Sequence, residues 1–352
     1  MRKYKIGIWG QSGGGGKIAD GQAVRTAVIT QELKDRYGED QVLFADTYNW
    51  RKRPVGFFKE CVGLMKKSEN ILILPADNGF KVFVPIMMAL NVIFRKRLVY
   101  IVIGGFLPKL LKKKPSYIKL VNKFDIIFVQ TDNLRKDLET IGIQNIHILS
   151  NLKRLNTRKP EEIKVNTSKE IKVCVFSRIN KEKGIEDAIE AVKITNSKLG
   201  GKYVTLDLYG LLPDSYKDRF NELLELNKDL IEYKGIVYFN KTVETLQEYF
   251  ALLFPTYYYG EGFPGNVVDA YNTGLPIIAT DWLYNSDIIK DGVNGILVPI
   301  QSPEKLSEAL MRLYSDREYA HKLALNNLEA AKEYQPDKVL KELYAFIDKR
   351  EH

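Results

Sequence analysis

Short, uninterrupted runs of Val, Ile and Leu return along this chain in two groups of six, separated by one polar stretch. The first group is KIGIW (5–9), VLFAD (42–46), ILILPA (71–76), LVYIVIG (98–104), DIIFVQT (125–131) and IHILS (146–150). The second is IKVCVFS (171–177), YVTLDLYG (203–210), IEYKGIV (231–237), ALLFP (251–255), PIIATD (276–281) and GILVPI (295–300). A strand with one wet face alternates polar and apolar residues, whereas a continuous apolar run suits a strand covered on both faces of a parallel sheet. The intervening segments have helical spacing, as in DGQAVRTAVITQELKDRYG, where Gly38 is a C-terminal stop. This alternation predicts α/β architecture. The polar stretch NLKRLNTRKPEEIKVNTSKE (151–170) reads as a linker, part of which can pack, so the 352 residues divide into two domains of ordinary size. The expected bounds are 1–155 and 156–334, with a helix after Pro336 (335–352) returning to the first domain.

A hydrophobic content of 45% and a charged content of 28% belong to a globular chain able to bury real cores. The charged start MRKYKIGIWG has too short an apolar run for a secretory signal. The longest apolar stretch, VFVPIMMALNVIF (82–94), is shorter than the ~20 residues a spanning helix needs and is closed by Arg95, Lys96 and Arg97. Cys61 and Cys174 lie too far apart for a CxxC motif, and His147, His321 and His352 show no metal-ligand spacing. His147, in a strand-like run, reads as structural. A cytoplasmic chain without a metal is therefore expected.

The net charge is +9, with basic clusters at 51–53, 95–97 and 109–114 beside Trp50, Phe57, Phe58, Phe94, Leu110 and Leu111. These are either solvated faces or a surface for anionic lipid. Nucleic acid is not expected, since neither an aromatic–basic RNA signature nor a helix-turn-helix or zinc-finger spacing is present.

The stretch WGQSGGGGKIADG (9–21) puts four glycines after a strand, where backbone must approach something closely. It is not a P-loop: Gln11 replaces the first glycine and Ile18 the magnesium-binding hydroxyl. Nor does it fit a dinucleotide fingerprint, because Asp46, which ends the second strand, comes too late. A flexible turn without ligand is the plainer alternative.

The most informative stretch is FPTYYYGEGFPGNVVDAYNTGLPIIATD (254–281): strand, glycine-rich loop, helix from about Gly265 to Thr273, stop at Gly274, next strand. The amino end of that helix, with unpaired N–H groups and a positive dipole, favours a phosphate. Glu261 stands in the loop and Asp269 within the helix, at the carboxyl end of a strand where open α/β sheets bind ligands. Tyr257–Tyr259 read as packing and loop support, although aromatic faces also stack on sugars.

This segment resembles the glycosyltransferases of family 4 (glycosyl transferases group 1), whose mark is a Glu, seven residues, then Glu. SRINKEKGIEDAIEA (177–191), DIIFVQTDNLRKDLETIGIQNIHILSN (125–151) and DGVNGILVP (291–299) resemble other parts of the same family. The resemblance implies the GT-B fold, two Rossmann-like parallel-sheet domains facing a central cleft, with the acceptor on the first domain and the nucleotide-sugar donor on the second. It implies that Arg178 and Lys183 hold the donor diphosphate, doing the work a metal does elsewhere, and that Glu261 contacts the transferred sugar. The backbone of Gly262, Phe263, Pro264, Gly265, Asn266 and Val267 would meet sugar hydroxyls and phosphates, and Asp269 the ribose. Gly13, Gly14, Gly15 and Gly16, with Gly104 and Gly105, would line the acceptor or phosphate side. The implied reaction retains the anomeric configuration and needs no cofactor. A glycan or lipid-linked acceptor in bacterial surface-polysaccharide or glycolipid assembly is implied, at the inner face of the plasma membrane. Two positions depart from the pattern: Asp269 is one methylene shorter than Glu, and no histidine follows YIVIG. A GT-B epimerase, a phosphorylase or a non-catalytic nucleotide-sugar-binding subunit stays open as an alternative.

Overall fold

The computed structural model describes residues 3–12, 21–48 and 50–349. They form two compact units, Met1–Arg154 with Gln335–His352, and Leu155–Tyr334.

The first unit contains β1 (Tyr4–Gly10), β2 (Val42–Asp46), β3 (Ser68–Ile73), β4 (Arg97–Ile101), β5 (Ile126–Val129) and β6 (Ile146–Ile148). They pair in the order β2-β1-β3-β4-β5-β6, every pair parallel. The second contains β7 (Ile171–Phe176), β8 (Val204–Tyr209), β9 (Ile231–Gly235), β10 (Ala251–Phe254), β11 (Ile277–Thr280) and β12 (Ile296–Val298). Their order is β12-β11-β10-β7-β8-β9, again parallel throughout. Each of the twelve short apolar runs contains a strand, while the longer run 82–94 is helical. The start of β3 is the main shift: Ser68 and Asn70 are buried, and Asn70 donates to the Lys5 carbonyl at 3.1 Å, so polar residues open a strand that an apolar pattern cannot show.

The first core joins Ile6 and Ile8 of β1 to Ile29 and Leu33 of the helix Gly21–Tyr37, and to Leu340, Leu343, Tyr344 and Ile347 near the C-terminus. Arg97 secures that C-terminal segment, donating to the carbonyls of Phe346 at 2.7 Å and Lys349 at 2.8 Å. Arg97 therefore does not join Arg95 in a solvated basic cluster. Leu110 and Leu111 likewise face inward, leaving Lys112, Lys113 and Lys114 exposed without their apolar neighbours.

The helix Asp77–Phe94 extends the 82–94 run to 18 residues, and is the one described helix long and apolar enough to cross a membrane. It does not cross one, because it joins β3 to β4, which pair directly in parallel. Right-handed crossovers put it, with Pro54–Lys67 and Ser116–Val121, on one face of the sheet, and it packs against both of those helices.

The latter part of the polar stretch packs on the second unit. The Arg158 N–H donates to the Asn272 carbonyl at 2.9 Å, and the Thr157 hydroxyl meets the Asn272 side chain at 2.5 Å.

Candidate active site

In the second sheet β7 and β10 are neighbours, with Val173 beside Ala251 and Cys174 beside Leu252. The chain leaves them toward opposite edges, so their carboxyl ends form the topological switch point at which open α/β sheets leave a crevice. Arg178 and Lys183 lie in the loop after β7, and Glu261 in the loop after β10.

The β7 loop is fixed from several sides. Its Ser177 and Ile179 N–H groups donate to the Tyr209 and Leu211 carbonyls at 3.0 and 2.9 Å. Asn180 closes the short turn Lys181–Lys183 by accepting from the Lys183 N–H at 3.0 Å. Gly184 follows with φ +72°, and a Cβ there would sit 2.1 Å from the Pro255 carbonyl oxygen. Only glycine allows the two loops to touch at this point.

That contact brings Lys183 Nζ to 2.5 Å from Glu261 Oε2, with side chains 13% and 10% exposed. Lys183 also lies over the Tyr258 ring, 5.0 Å from its centre. The hydroxyl of fully buried Thr256 donates to the same Glu261 oxygen at 2.9 Å. Thr280 Oγ1 in turn donates to the Thr256 carbonyl, and the Tyr257 N–H donates to the Glu182 carbonyl at 2.8 Å. A nearly buried charge pair is strongly favoured only when hydrogen bonds satisfy its remaining polar atoms, and Thr256 supplies one.

Arg178 differs: its side chain is exposed, and it forms no ion pair among the described residues. Burial, and then Tyr259, push the Tyr258 phenol above its ordinary pKa while Arg178 pulls it down. The guanidinium is therefore within electrostatic reach of the ring that Lys183 covers. One held cation and one open cation thus stand at the same strand ends.

The helix Gly265–Thr273 starts at this rim with no side-chain cap on its first N–H groups, and ends at Gly274 with φ 67°. Asn266 ties it to β7, donating from Nδ2 to the Phe176 carbonyl at 2.8 Å. Gly265 and Asn266 are half-buried, whereas Gly262 and Pro264 are buried. Phe263 and Val267 are core residues packed with Phe254 and Tyr271, so their side chains are turned into the unit. Asp269 is 1% exposed, and Thr242 donates to its Oδ1 at 2.9 Å.

In the first unit, Gly104 follows β4 with φ 78°, and its N–H donates to Gln130 Oε1 at 3.0 Å; Gly105 is buried next to it. Gly13, Gly14, Gly15 and Gly16 lie outside the described residues. Thr256, Asn180 and Thr242 were not singled out from the sequence. Asn180 had a signal, a capping residue three positions before Lys183. A hydroxyl between a strand end and a carboxylate has none, and Thr242 reaches Asp269 across 27 positions. Among the described residues no cluster of three or more His, Cys, Asp or Glu is placed to hold a metal.

Residues 157–329, nearly all of the second unit, match the family model described as Glycosyl transferases group 1. Among curated relatives, an uncharacterized glycosyltransferase of Methanocaldococcus jannaschii is 24% identical over 209 residues, 58% of this chain and 51% of that protein. An uncharacterized 41.2 kDa protein in cps region of Klebsiella pneumoniae is 25% identical over 182 residues, 52% of this chain and 46% of its own length. The matched part spans about half the length of these two relatives. The crystal structure of Anabaena HepE in complex with UDP superposes with a TM-score of 0.79 at 16% identity, covering 99% of each chain. HepE has also been solved in complex with UDP-glucose. At that identity the likeness establishes the fold, which is GT-B.

Proposed function

We propose that this protein is a retaining glycosyltransferase, of family 4 within the group, that moves a sugar from a nucleotide-sugar donor to a glycan or lipid-linked acceptor. The observation that carries the reading is the pairing of half-buried Lys183 with buried Glu261 beside exposed Arg178, at the switch point of β7 and β10. A departing nucleoside diphosphate gains negative charge, and preorganised cations in a nearly dry site stabilise that charge where it forms. Lys183 and Arg178 supply two such cations without a metal, and the uncapped amino end of Gly265–Thr273 adds backbone donors and a positive dipole.

Glu261 has the other task. Its Oε2 is held by Lys183 and Thr256, which orients the carboxylate toward a hydroxyl of the transferred sugar. Donor phosphate entering the site competes for Lys183 and frees the carboxylate for the sugar. Attack comes from the face the nucleotide leaves, without a covalent intermediate on the enzyme. Asp269 acts on the ribose side, with Thr242 fixing one of its oxygens. The first unit carries the acceptor. The Klebsiella relative in a cps region fits a setting in bacterial surface-polysaccharide or glycolipid assembly, in the cytoplasm at the inner membrane face.

A panel of nucleotide sugars, measured for binding by calorimetry and then for transfer, tests the reading. Binding of one donor class, with release of its nucleoside diphosphate when acceptor is supplied and undiminished in EDTA, is expected. Absence of nucleotide-sugar binding across the panel overturns it. Loss of activity in EDTA that magnesium or zinc restores overturns the metal-free assignment alone.

A further inference from the structure

The helix Asp77–Phe94 carries a second apolar face that the rest of the first unit leaves open. Phe80, Phe83, Val84, Met87 and Met88 are buried. Across the helix, Val92 and Ile93 are 73% and 74% exposed, Ala89 is exposed, and Val82, Pro85 and Ile86 are half-buried. No charged residue occurs from Val82 to Phe94, although the outer face of a sheet-covering helix is ordinarily polar. The adjacent helix Pro54–Lys67 adds exposed Val55 and Phe58, three positions apart and so on one face.

The charge around this stripe is uneven. Residues 50–123 hold sixteen Lys and Arg against three Asp and Glu, an excess larger than the +9 of the whole chain, so the remainder is net negative. Exposed Lys52 and Lys59 lie on the side of helix Pro54–Lys67, and exposed Lys112, Lys113 and Lys114 lead into the helix Ser116–Val121. Helix Asp77–Phe94 packs between these two helices. Among the described residues none of those five lysines pairs with a carboxylate. An uncharged apolar stripe with unpaired cations on both flanks matches a surface that is apolar beneath a continuous layer of negative charge.

We propose that this face of the first unit docks on an anionic lipid bilayer, with helix Asp77–Phe94 lying in the interfacial plane rather than crossing it. Val55, Phe58, Val92 and Ile93 enter the boundary between headgroups and acyl chains. The flanking lysines meet the headgroup phosphates, each adding a modest, salt-screened attraction. The inference rests on this surface and is independent of the transfer chemistry, and it assigns the membrane contact to apolar side chains as much as to basic ones.

Co-sedimentation tests it, using the full chain with vesicles of phosphatidylcholine alone and of phosphatidylcholine and phosphatidylglycerol in equal parts, at low and high salt. Binding to the anionic vesicles alone, weakened by salt, is expected. V92S/I93S should lower that binding at least about tenfold, by the area each side chain removes from water, and K112S/K113S/K114S should lower it about fivefold per lysine removed. Circular dichroism and Tm should be unchanged in both, which shows that the first unit still folds, and nucleotide binding should be unchanged as well. F58S is a second, independent probe of the apolar contact. Failure of the native protein to bind anionic vesicles at low salt overturns the proposal, as does equal binding by V92S/I93S and F58S. It also falls if the native protein sediments as a dimer that V92S/I93S dissociates, since a second copy then covers the face.

Discussion

The two six-stranded sheets each have a switch point, between β1 and β3 in the first and between β10 and β7 in the second, and equip it differently. In the first, the loop after β1 is held to the end of β2: Asp46 accepts from the Ser12 N–H at 3.0 Å and from the Tyr48 N–H at 2.9 Å. That arrangement uses a carboxylate to shape backbone, and leaves no cation against it among the described residues. In the second, the carboxylate at the switch point, Glu261, is paired with Lys183, with Arg178 open nearby. Two parallel sheets of different strand order thus carry a shaped loop at one switch point and a charged site at the other. The difference lies in which residues the loops carry, so chemistry cannot be read from architecture alone. The first unit concentrates its positive charge on its helical face instead, where it suits a surface rather than a small ligand.

The largest test of this contrast is Glu261→Gln. It should reduce turnover about 10²–10³-fold, the range seen when one preorganised group is removed from a reacting centre, while nucleotide affinity changes far less. Steady-state kinetics beside calorimetry separate the two effects, and equal losses in both would merge Glu261 with the diphosphate-binding group.

Next come the two cations. Lys183→Ala leaves Glu261 nearly buried without its partner, and breaking such a pair costs about 2–5 kcal/mol. Both nucleoside diphosphate affinity and thermal stability should therefore fall. Arg178→Ala removes an exposed side chain, so affinity should fall with little change in Tm, by about 1.5–3 kcal/mol for lost charged hydrogen bonds. Unchanged diphosphate affinity in both variants would remove the donor site from this switch point.

A smaller effect is expected from Asp269→Asn. The amide oxygen can still accept from Thr242, so the fold should hold while donor affinity drops several-fold, about 1 kcal/mol for one weakened hydrogen bond. A turnover defect larger than that of Glu261→Gln would exchange the two assignments.

Turnover and donor affinity are left untouched by a further effect, a pH dependence of stability that spans both units. Burial pushes the phenols of Tyr37 and Tyr344 in the first unit, and of Tyr334 in the second, up to about 12. A raised folded pKa means that the native state holds protons the unfolded chain has released. Stability is then complete below pH ~10 and is lost as pH rises toward 12. Arg25, lowered by burial to about 9, acts in the opposite direction over that interval, but raised phenols outnumber lowered bases among the described residues. Tm should decline across this window, and Tyr37→Phe with Tyr344→Phe should flatten the decline. A Tm independent of pH between 9 and 12 would contradict it.

Much was legible before the fold was known. Twelve apolar runs located twelve strands, because burial on both faces of a parallel sheet demands continuous Val, Ile and Leu. The helix Gly265–Thr273 could be read from its spacing and its stop at Gly274, since those signals are local. Glu261 could be placed in the loop after a readable strand, whereas Arg178 and Lys183 could be named only through the family resemblance of the segment that holds them.

What only the tertiary structure decided is how those residues meet. Lys183 and Glu261 are 78 positions apart, and nothing in either segment states that strands seven and ten are neighbours. Thr256 acquires its role from the same pairing, and Thr242 from a helix that folds back over Asp269. Arg97 looked like one more surface cation until the C-terminal segment lay against it. The open face of helix Asp77–Phe94 is the converse: its apolar residues are plain in the sequence, but which side of the helix the sheet covers is fixed only by packing. Local pattern specifies elements because it reflects each residue's own burial. Partners depend on strand order, which the chain settles only when distant segments come together.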